Sequence, residues 1–212
     1  MEKHPVLLKN DNALSLISAF VEYLSSLSVN KNGVVWEYVK YIYKKEKREG
    51  CTILIRDKET GRTFSHQFGE DSLSRCVDTW EQANRELEAI WCIKGSRHRD
   101  ARSVLKFNPG EKVLGGAVAN DDFVVSSFGF FGHQNEVLSL LVLSLLSISS
   151  EMLEKSEKGL TNADHLQLAW PHIQTFYDEN VSSQECAEHP GEQFMLLCNF
   201  ALKIGARING FS

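Results

Sequence analysis

The apolar segment at residues 137–148 constrains the fold most, because a helix formed by it has almost no polar side. At about 1.5 Å per residue it is too short to cross the roughly 30 Å hydrocarbon core of a bilayer. A helix that is apolar nearly all round needs neighbours on every side. We therefore expect a helix over about residues 135–155, buried against a sheet or in a subunit interface.

Two helices are expected before any strand. Asp11 or Asn12 can cap a helix whose apolar residues, from Leu14 to Leu27, recur at intervals of three and four. A turn at residues 30–33 precedes a second helix, which carries basic residues at its end and stops at Gly50.

The next part of the chain alternates between strand-like and helical patterns. Residues 51–56 and 62–68 predict one β-hairpin, and residues 113–118 and 123–128 predict another. Between them, an apolar stripe over residues 73–91 predicts a long helix that Asp71 or Ser72 can cap.

Two C-terminal helices complete the predicted order, at about residues 162–180, which include Pro171, and residues 191–208. The order indicates an α+β fold: an antiparallel sheet of two hairpins with packed helices, plus extra N- and C-terminal helices. We expect residues 1–155 to form the α+β domain, and residues 156–212 to form a helical extension packed on it.

Composition limits the partners and the compartment. The chain has 212 residues, 42% of them hydrophobic, with 23 basic and 28 acidic residues and a formal charge of −5. This balance argues against a general affinity for nucleic acid. Five scattered cysteines match neither a disulfide framework nor a zinc pattern, and the N-terminus is unlike a signal peptide. We therefore expect a cytoplasmic protein without membrane or nucleic-acid partners.

Residues 50–146 contain several short runs and single residues that together match the pattern of a known protein family. They are the run Ile53, Leu54, Ile55, Arg56 and Asp57 with Gly61, then Ala83, the pair Gly115 and Gly116, and the run Val125, Ser126, Ser127, Phe128 and Gly129. In order and spacing this part of the chain resembles the GlcG/HbpS-like family, which includes the C-terminal domain of the PduO-type cobalamin adenosyltransferases. The resemblance implies a profilin-like α-β fold and binding of haem, a corrinoid or another small anionic molecule, often in an oligomer. It implies no single reaction.

The segment at residues 94–106 is strongly cationic. It contains Lys94, Arg97, His98, Arg99, Arg102 and Lys106, and its only acid is Asp100. Arginine offers a planar fork of donors to carboxylates and phosphates, so Arg97, His98 and Arg102 are candidate ligand contacts. A solvated loop or a surface of salt bridges would have the same composition.

The paired glycines and His133 complete the predicted binding site. Without a Cβ, Gly115 and Gly116 allow a backbone to come close to a ligand or to a neighbouring helix. His133 precedes the apolar helix, where unpaired backbone N–H groups favour anions. The alternatives are a tight strand-to-helix contact for the glycines and a residue beside the helix cap for His133.

The remaining histidines and cysteines give weaker signals. His66 and His98 could ligate iron or transfer protons. His165 and His172 share one helix face, and Cys186, His189 and Cys198 form a looser set, but neither spacing is a known zinc pattern. We therefore predict no metal site.

Catalysis is not indicated by any motif. The sequence contains no nucleophile elbow, Walker A loop, HExxH helix or dinucleotide fingerprint. His133 or Glu136 could act as an acid or a base, although no partner stands at a defined spacing. The catalytic residues are unknown, and whether the chain is an enzyme stays undecided.

The sequence leads to two hypotheses of function. The first is a small-molecule-binding or sensor domain whose ligand contacts are Gly115, Gly116, Arg97, His98, Arg102 and His133. The second is an interaction or assembly subunit, a homo-oligomer or a protein partner, that uses the apolar helix at residues 137–148 and the C-terminal helices.

Overall fold

The computed structural model describes residues 33–46, 50–69, 73–91, 115–148, 159–180 and 190–208. The helices in these residues are α1 (Val34–Glu46), α2 (Leu73–Trp91), α3 (Gly132–Ser147), α4 (Asn162–Asn180) and α5 (Pro190–Lys203). The strands are β1 (Gly50–Asp57), β2 (Thr63–Gly69), β3 (Ala117–Ala119) and β4 (Phe123–Phe128). The helix expected near residues 11–27 lies outside the described residues.

The four strands form one antiparallel sheet in the order β2-β1-β4-β3. Each predicted hairpin is present, and β1 joins them by pairing with β2 on one side and with β4 on the other. The predicted α+β class is confirmed. An antiparallel sheet with helices packed around it is consistent with a profilin-like fold.

Side-chain hydrogen bonds fix both hairpin turns. In the first turn, the carboxylate of Asp57 accepts hydrogen bonds from the backbone N–H groups of Glu59 (3.0 Å) and Thr60 (3.2 Å). In the second, the Oδ1 atom of Asn120 accepts from the backbone of Asp122 (3.0 Å) and Phe123 (2.8 Å). Asparagine and aspartate commonly close turns in this way.

The main core lies on the sheet face that carries Ile53, Ile55 and Val125. Helix α3 packs on this face, and α1, α4 and α5 contact α3. Every residue from Gln134 to Leu146 is buried. The apolar segment at residues 137–148 is thus covered by the chain itself, which leaves the C-terminal helices as the surface for the assembly hypothesis.

Among the described residues, helix α2 covers the opposite face of the sheet. The interface between α2 and the sheet is smaller and more polar than the main core. Its apolar side chains are Leu54, Ala83, Leu87, Ile90, Ala117, Ala119 and Val124. The hydroxyls of Thr52 and Thr79 lie 2.8 Å apart across this interface, and Arg56 pairs with Glu88 on the same helix. The fold therefore has three layers, with the sheet in the middle.

The C-terminal helices share the main core with the sheet. Leu166 and Ile173 of α4 and Leu197 and Phe200 of α5 are fully buried in it. The ring of Tyr38 meets the ring of Phe200 edge-on at 5.2 Å. Helices α4 and α5 therefore contribute to the same core as residues 33–148.

Helices α3 and α5 have ends that differ from the sequence-based expectation, and α3 ends at Ser147 rather than near residue 155. Helix α3 begins at Gly132 rather than near Asn135, and the side chain of Gln134 in its first turn accepts a hydrogen bond from the N–H of Phe131 (3.2 Å), which satisfies one donor at the helix start. Helix α5 ends at Lys203 rather than near Ile208. There, Gly205 adopts a φ of +76°, and Ala206 N–H donates to the carbonyl of Ala201 (2.9 Å) as in a Schellman cap.

Candidate functional site

The paired glycines lie directly before β3, where the chain approaches the first turn of α3. Both are buried, and both have positive φ angles, +90° at Gly115 and +140° at Gly116. A Cβ on Gly116 would lie 2.6 Å from the carbonyl oxygen of Ser127 and 3.1 Å from the Cβ of Asn135. The close approach at Gly116 is thus made by strand β4 and helix α3.

A buried hydrogen-bond network holds this corner together. The carbonyl of Gly116 accepts from the backbone N–H of Ser127 (3.2 Å) and from the hydroxyl of Ser139. The hydroxyl of Ser127 donates to the carbonyl of Asn135 at 2.6 Å. The network therefore fixes the position of β3 relative to β4 and α3.

The segment before α3 is fixed by Asn135. Its Oδ1 atom accepts from the N–H of Phe130 (2.9 Å), and its Nδ2 atom donates to the carbonyl of Phe130 (3.0 Å). His133 lies in the same first helical turn but is exposed, and its ring stacks on Phe131 with 6.5 Å between centroids. His133 and Gly116 are therefore at the same end of α3, with the imidazole on the surface and the glycine beneath packed atoms.

Glu136 differs from His133 in its access to solvent. Its side chain lies in the buried part of α3, and the residue is 3% exposed. A general acid or base needs to reach its substrate. In this conformation Glu136 does not share the accessible surface on which His133 lies.

Glu86 is the site residue that the sequence analysis missed. It lies on α2, is 0% exposed, and faces the sheet at the edge near the paired glycines. Its Oε2 atom accepts a hydrogen bond from the backbone N–H of Gly115 at 3.0 Å, and its Oε1 atom accepts from the Nε2 atom of Gln82 at 2.8 Å. Both carboxylate oxygens therefore have a donor.

A signal for Glu86 is present in the sequence. Ala83, Leu87 and Ile90 form the apolar stripe of α2, and Glu86 stands three positions after Ala83, within that stripe. A carboxylate on the buried face of a helix needs hydrogen-bond donors, because transfer of an unpaired charge out of water is costly. A charged residue on an apolar stripe is thus a sequence-level sign of a buried polar site.

The hydrogen bond between Glu86 and Gly115 also has a topological consequence. Helix α2 ends at Trp91, five residues after Glu86 and about 7.5 Å farther along the helix axis. Gly115 is the first described residue after that helix. Trp91 and Gly115, the described residues on either side of segment 92–114, therefore lie near the same edge of the sheet. Arg97, His98 and Arg102 belong to this segment and lie outside the described residues.

His66 lies on the other side of the sheet from Glu86. It pairs with Ile53, whose side chain belongs to the main core, and its ring meets Phe68 edge-on at 4.5 Å. Burial lowers the pKa of His66 below its ordinary value of 6.5. The structure therefore does not place His66 next to the Glu86 corner.

The histidines and cysteines of the two looser sets lie on the C-terminal helices or outside the described residues. His165 and His172 are on α4, and burial lowers the pKa of His165 despite the opposing charge of Asp164. Cys198 is buried on α5, and Cys186 and His189 are not described. Within the described ranges no three His, Cys, Asp or Glu side chains are grouped to hold a metal ion.

An acidic depression of about 220 Å³ lies at the turns of the two hairpins. It is lined by Asp57, Lys58, Glu59, Asp121 and Asp122. The carboxylate of Asp57 already accepts hydrogen bonds within the first hairpin turn. The Nζ atom of Lys58 donates to the carbonyl of Asn120 at 2.5 Å. The excess of carboxylates makes this depression a poor match for the anionic ligand that the resemblance implies.

Comparison with family models, with curated proteins and with solved structures gives no match for this chain. The resemblance to the GlcG/HbpS-like family therefore stays a prediction. None of the helices in the described residues is long and apolar enough to cross a membrane.

Proposed function

We propose that this chain is a small-molecule-binding or sensor domain that holds an anionic ligand at the edge where α2 meets β3. The hydrogen bond between Glu86 and Gly115 carries the proposal, because it places at this edge the two described residues, Trp91 and Gly115, between which the cationic residues stand in the sequence. Long connections whose ends lie close together are often functional.

Charge supports the anionic character of the ligand. The chain as a whole is acidic, with a formal charge of −5, whereas residues 94–106 carry five Lys and Arg residues and one Asp. Such a local excess of cations raises the concentration of anions nearby and offers donors to carboxylates and phosphates. Arg97, His98 and Arg102 are the proposed contacts.

A haem or corrinoid ligand is the most specific version of this proposal. It rests on the family resemblance and on His98 or His133 as the ligating imidazole. His133 is exposed and beside the ring of Phe131, so a planar ligand has access to it. The carboxylate groups of haem would pair with Arg97 and Arg102.

Native mass spectrometry of the purified chain tests the general proposal. We expect a co-purifying anionic molecule whose affinity falls at least about tenfold, or about 1.4 kcal/mol, in an Arg97→Ala/Arg102→Ala variant. Lys44→Ala is the matched control, because Lys44 is an exposed cation on α1. Equal affinity in the double variant and the control would contradict the proposal.

Titration with hemin tests the specific version. A saturable shift of the Soret band that is lost in His98→Ala or His133→Ala supports an axial imidazole. If the band does not shift in a saturable way, haem is removed from the candidates, and the general proposal then depends on the mass spectrum.

The assembly hypothesis is the second candidate, and the surface of α5 favours it. Met195 is 49% exposed and Leu202 is 60% exposed. Their spacing of seven residues places them on one helix face. We expect light scattering to show an oligomer that persists on dilution and dissociates in a Met195→Ser/Leu202→Ser variant. A wild-type chain that is monomeric at all concentrations would exclude this candidate.

A further inference from the structure

Two hydrogen-bond donors converge on one carboxylate between α2 and β3. The donors are the side-chain amide of Gln82, at 2.8 Å, and the backbone N–H of Gly115, at 3.0 Å. Each donates to a different oxygen of Glu86, which is 0% exposed. We call this pair of donors the carboxylate cradle.

Contacts other than those with Glu86 position both donors. The Nη1 atom of Arg85 donates to the Oε1 atom of Gln82 at 2.7 Å, which orients the amide so that its NH₂ group faces Glu86. Gly115 precedes Gly116, whose carbonyl is held by Ser127 and Ser139. The cradle therefore has supports that do not depend on the carboxylate inside it.

Such a cradle would accept a carboxylate from any source. Hydrogen bonds to an ionised acceptor are stronger than neutral ones, and two donors that point at the two oxygens match the shape of a carboxylate. An incoming carboxylate that replaces the one from Glu86 would leave the number of charges in the cradle unchanged. The exchange therefore avoids the cost of adding a second buried charge.

We propose that the carboxylate cradle is an anion-binding position that Glu86 fills as an internal mimic, and that the anionic group of the ligand displaces Glu86 from it. This inference rests on the proposed function, because it assigns a place to the anionic group of that ligand. Glu86 is then an autoinhibitory contact. Its affinity for the cradle opposes binding of the ligand.

The first test removes the side chain of Glu86 from the cradle and adds acetate as a free carboxylate. Glu86→Ala is compared with the wild type in sodium acetate and in sodium chloride at equal ionic strength, and the midpoint of thermal unfolding is recorded. We expect acetate to raise the midpoint of Glu86→Ala saturably above its value in chloride, and to leave the wild type unchanged. Equal midpoints in the two salts for Glu86→Ala would overturn the proposal.

Glu86→Gln provides a second measurement if the alanine variant does not fold. Its side chain has the shape of the wild-type residue without the charge, so it should occupy the cradle more weakly. We expect saturable stabilisation by acetate in this variant and none in the wild type. The same stabilisation of both proteins would show that acetate acts elsewhere and would overturn the proposal.

Affinity for the co-purifying molecule then separates this inference from the proposed function. If Glu86 competes for the cradle, Glu86→Gln should bind that molecule at least about tenfold more tightly than the wild type, which corresponds to about 1.4 kcal/mol. An affinity that is equal or weaker would reject displacement of Glu86 while ligand binding stands. Stabilisation by acetate with no co-purifying molecule would confirm the cradle and reject the proposed function.

Discussion

The carboxylate of Glu86 accepts a hydrogen bond of 3.0 Å from the backbone N–H of Gly115, 29 positions later in the chain. This contact joins the helix on one face of the sheet to the strand at its edge. Gly115 is followed by Gly116, which packs against the first turn of α3 on the other face. The short segment at Gly115 and Gly116 thus connects the two helical layers.

Glu86→Ala should lower the free energy of unfolding by about 1–3 kcal/mol, because it leaves the buried donors of Gln82 and Gly115 without their acceptor. Urea unfolding followed by tryptophan fluorescence measures the change. Glu81→Ala is the control, since Glu81 is exposed on the same helix and its loss should cost less than about 0.5 kcal/mol. Similar losses for both variants would contradict this account of Glu86.

Gly116→Ala should destabilise the protein by about 2–4 kcal/mol, because the new Cβ would meet the carbonyl of Ser127 in a backbone conformation that already disfavours alanine. Gly61→Ala separates the two causes. Gly61 has a φ of +71° and open space around its Cβ position, so alanine there should cost about 1 kcal/mol. If the two variants lose the same stability, the contact with Ser127 is not the reason for glycine at position 116.

Hydrophobic periodicity was sufficient to predict most of the fold. The stripe of α2 and the apolar α3 were correctly predicted to be helices, and both hairpins were found where their turn residues stand. The predicted C-terminal end of α5, near Ile208, is wrong because the helix ends at Lys203 and Gly205 forms its cap. A glycine directly after a helix is a common cap. That error was avoidable from the sequence.

The candidate site was harder to predict than the fold. The paired glycines correctly indicate a close approach of the backbone, but the atoms that approach Gly116 belong to Ser127 and Asn135, and only the tertiary structure brings these together. Glu86 was not predicted because it belongs to no short motif: it is a single charged residue within the apolar stripe of α2. Arg97, His98 and Arg102 lie outside the described residues, so their role stays a prediction.

Leu141→Ala should cost about 2–5 kcal/mol, because Leu141 is fully buried in α3 and its removal leaves a cavity between the sheet and the outer helices. Leu202→Ala should change stability by less than about 0.5 kcal/mol, since its side chain is 60% exposed. Urea unfolding at two protein concentrations measures both. A loss for Leu202→Ala that depends on concentration would instead identify the α5 surface as a subunit contact.

Stability should fall as the pH is lowered below about 6.5, because burial lowers the pKa of both His66 and His165 from that ordinary value. Each histidine binds a proton more readily in the unfolded chain, so unfolding takes up protons between the two pKa values. The contribution is therefore fully present above pH 6.5 and is lost as the pH falls toward the folded-state pKa. Thermal unfolding midpoints from pH 8 to pH 5 measure the slope.

A His66→Gln/His165→Gln variant separates this effect from the titration of carboxylates. It lacks both groups that take up a proton on unfolding in this range, so its midpoint should depend less on pH between about 6.5 and 5 than that of the wild type. Gln167→Ala is the control, because Gln167 is exposed on the same helix as His165 and does not titrate. If the double variant retains the wild-type slope, protonation of groups other than His66 and His165 causes the loss of stability in acid.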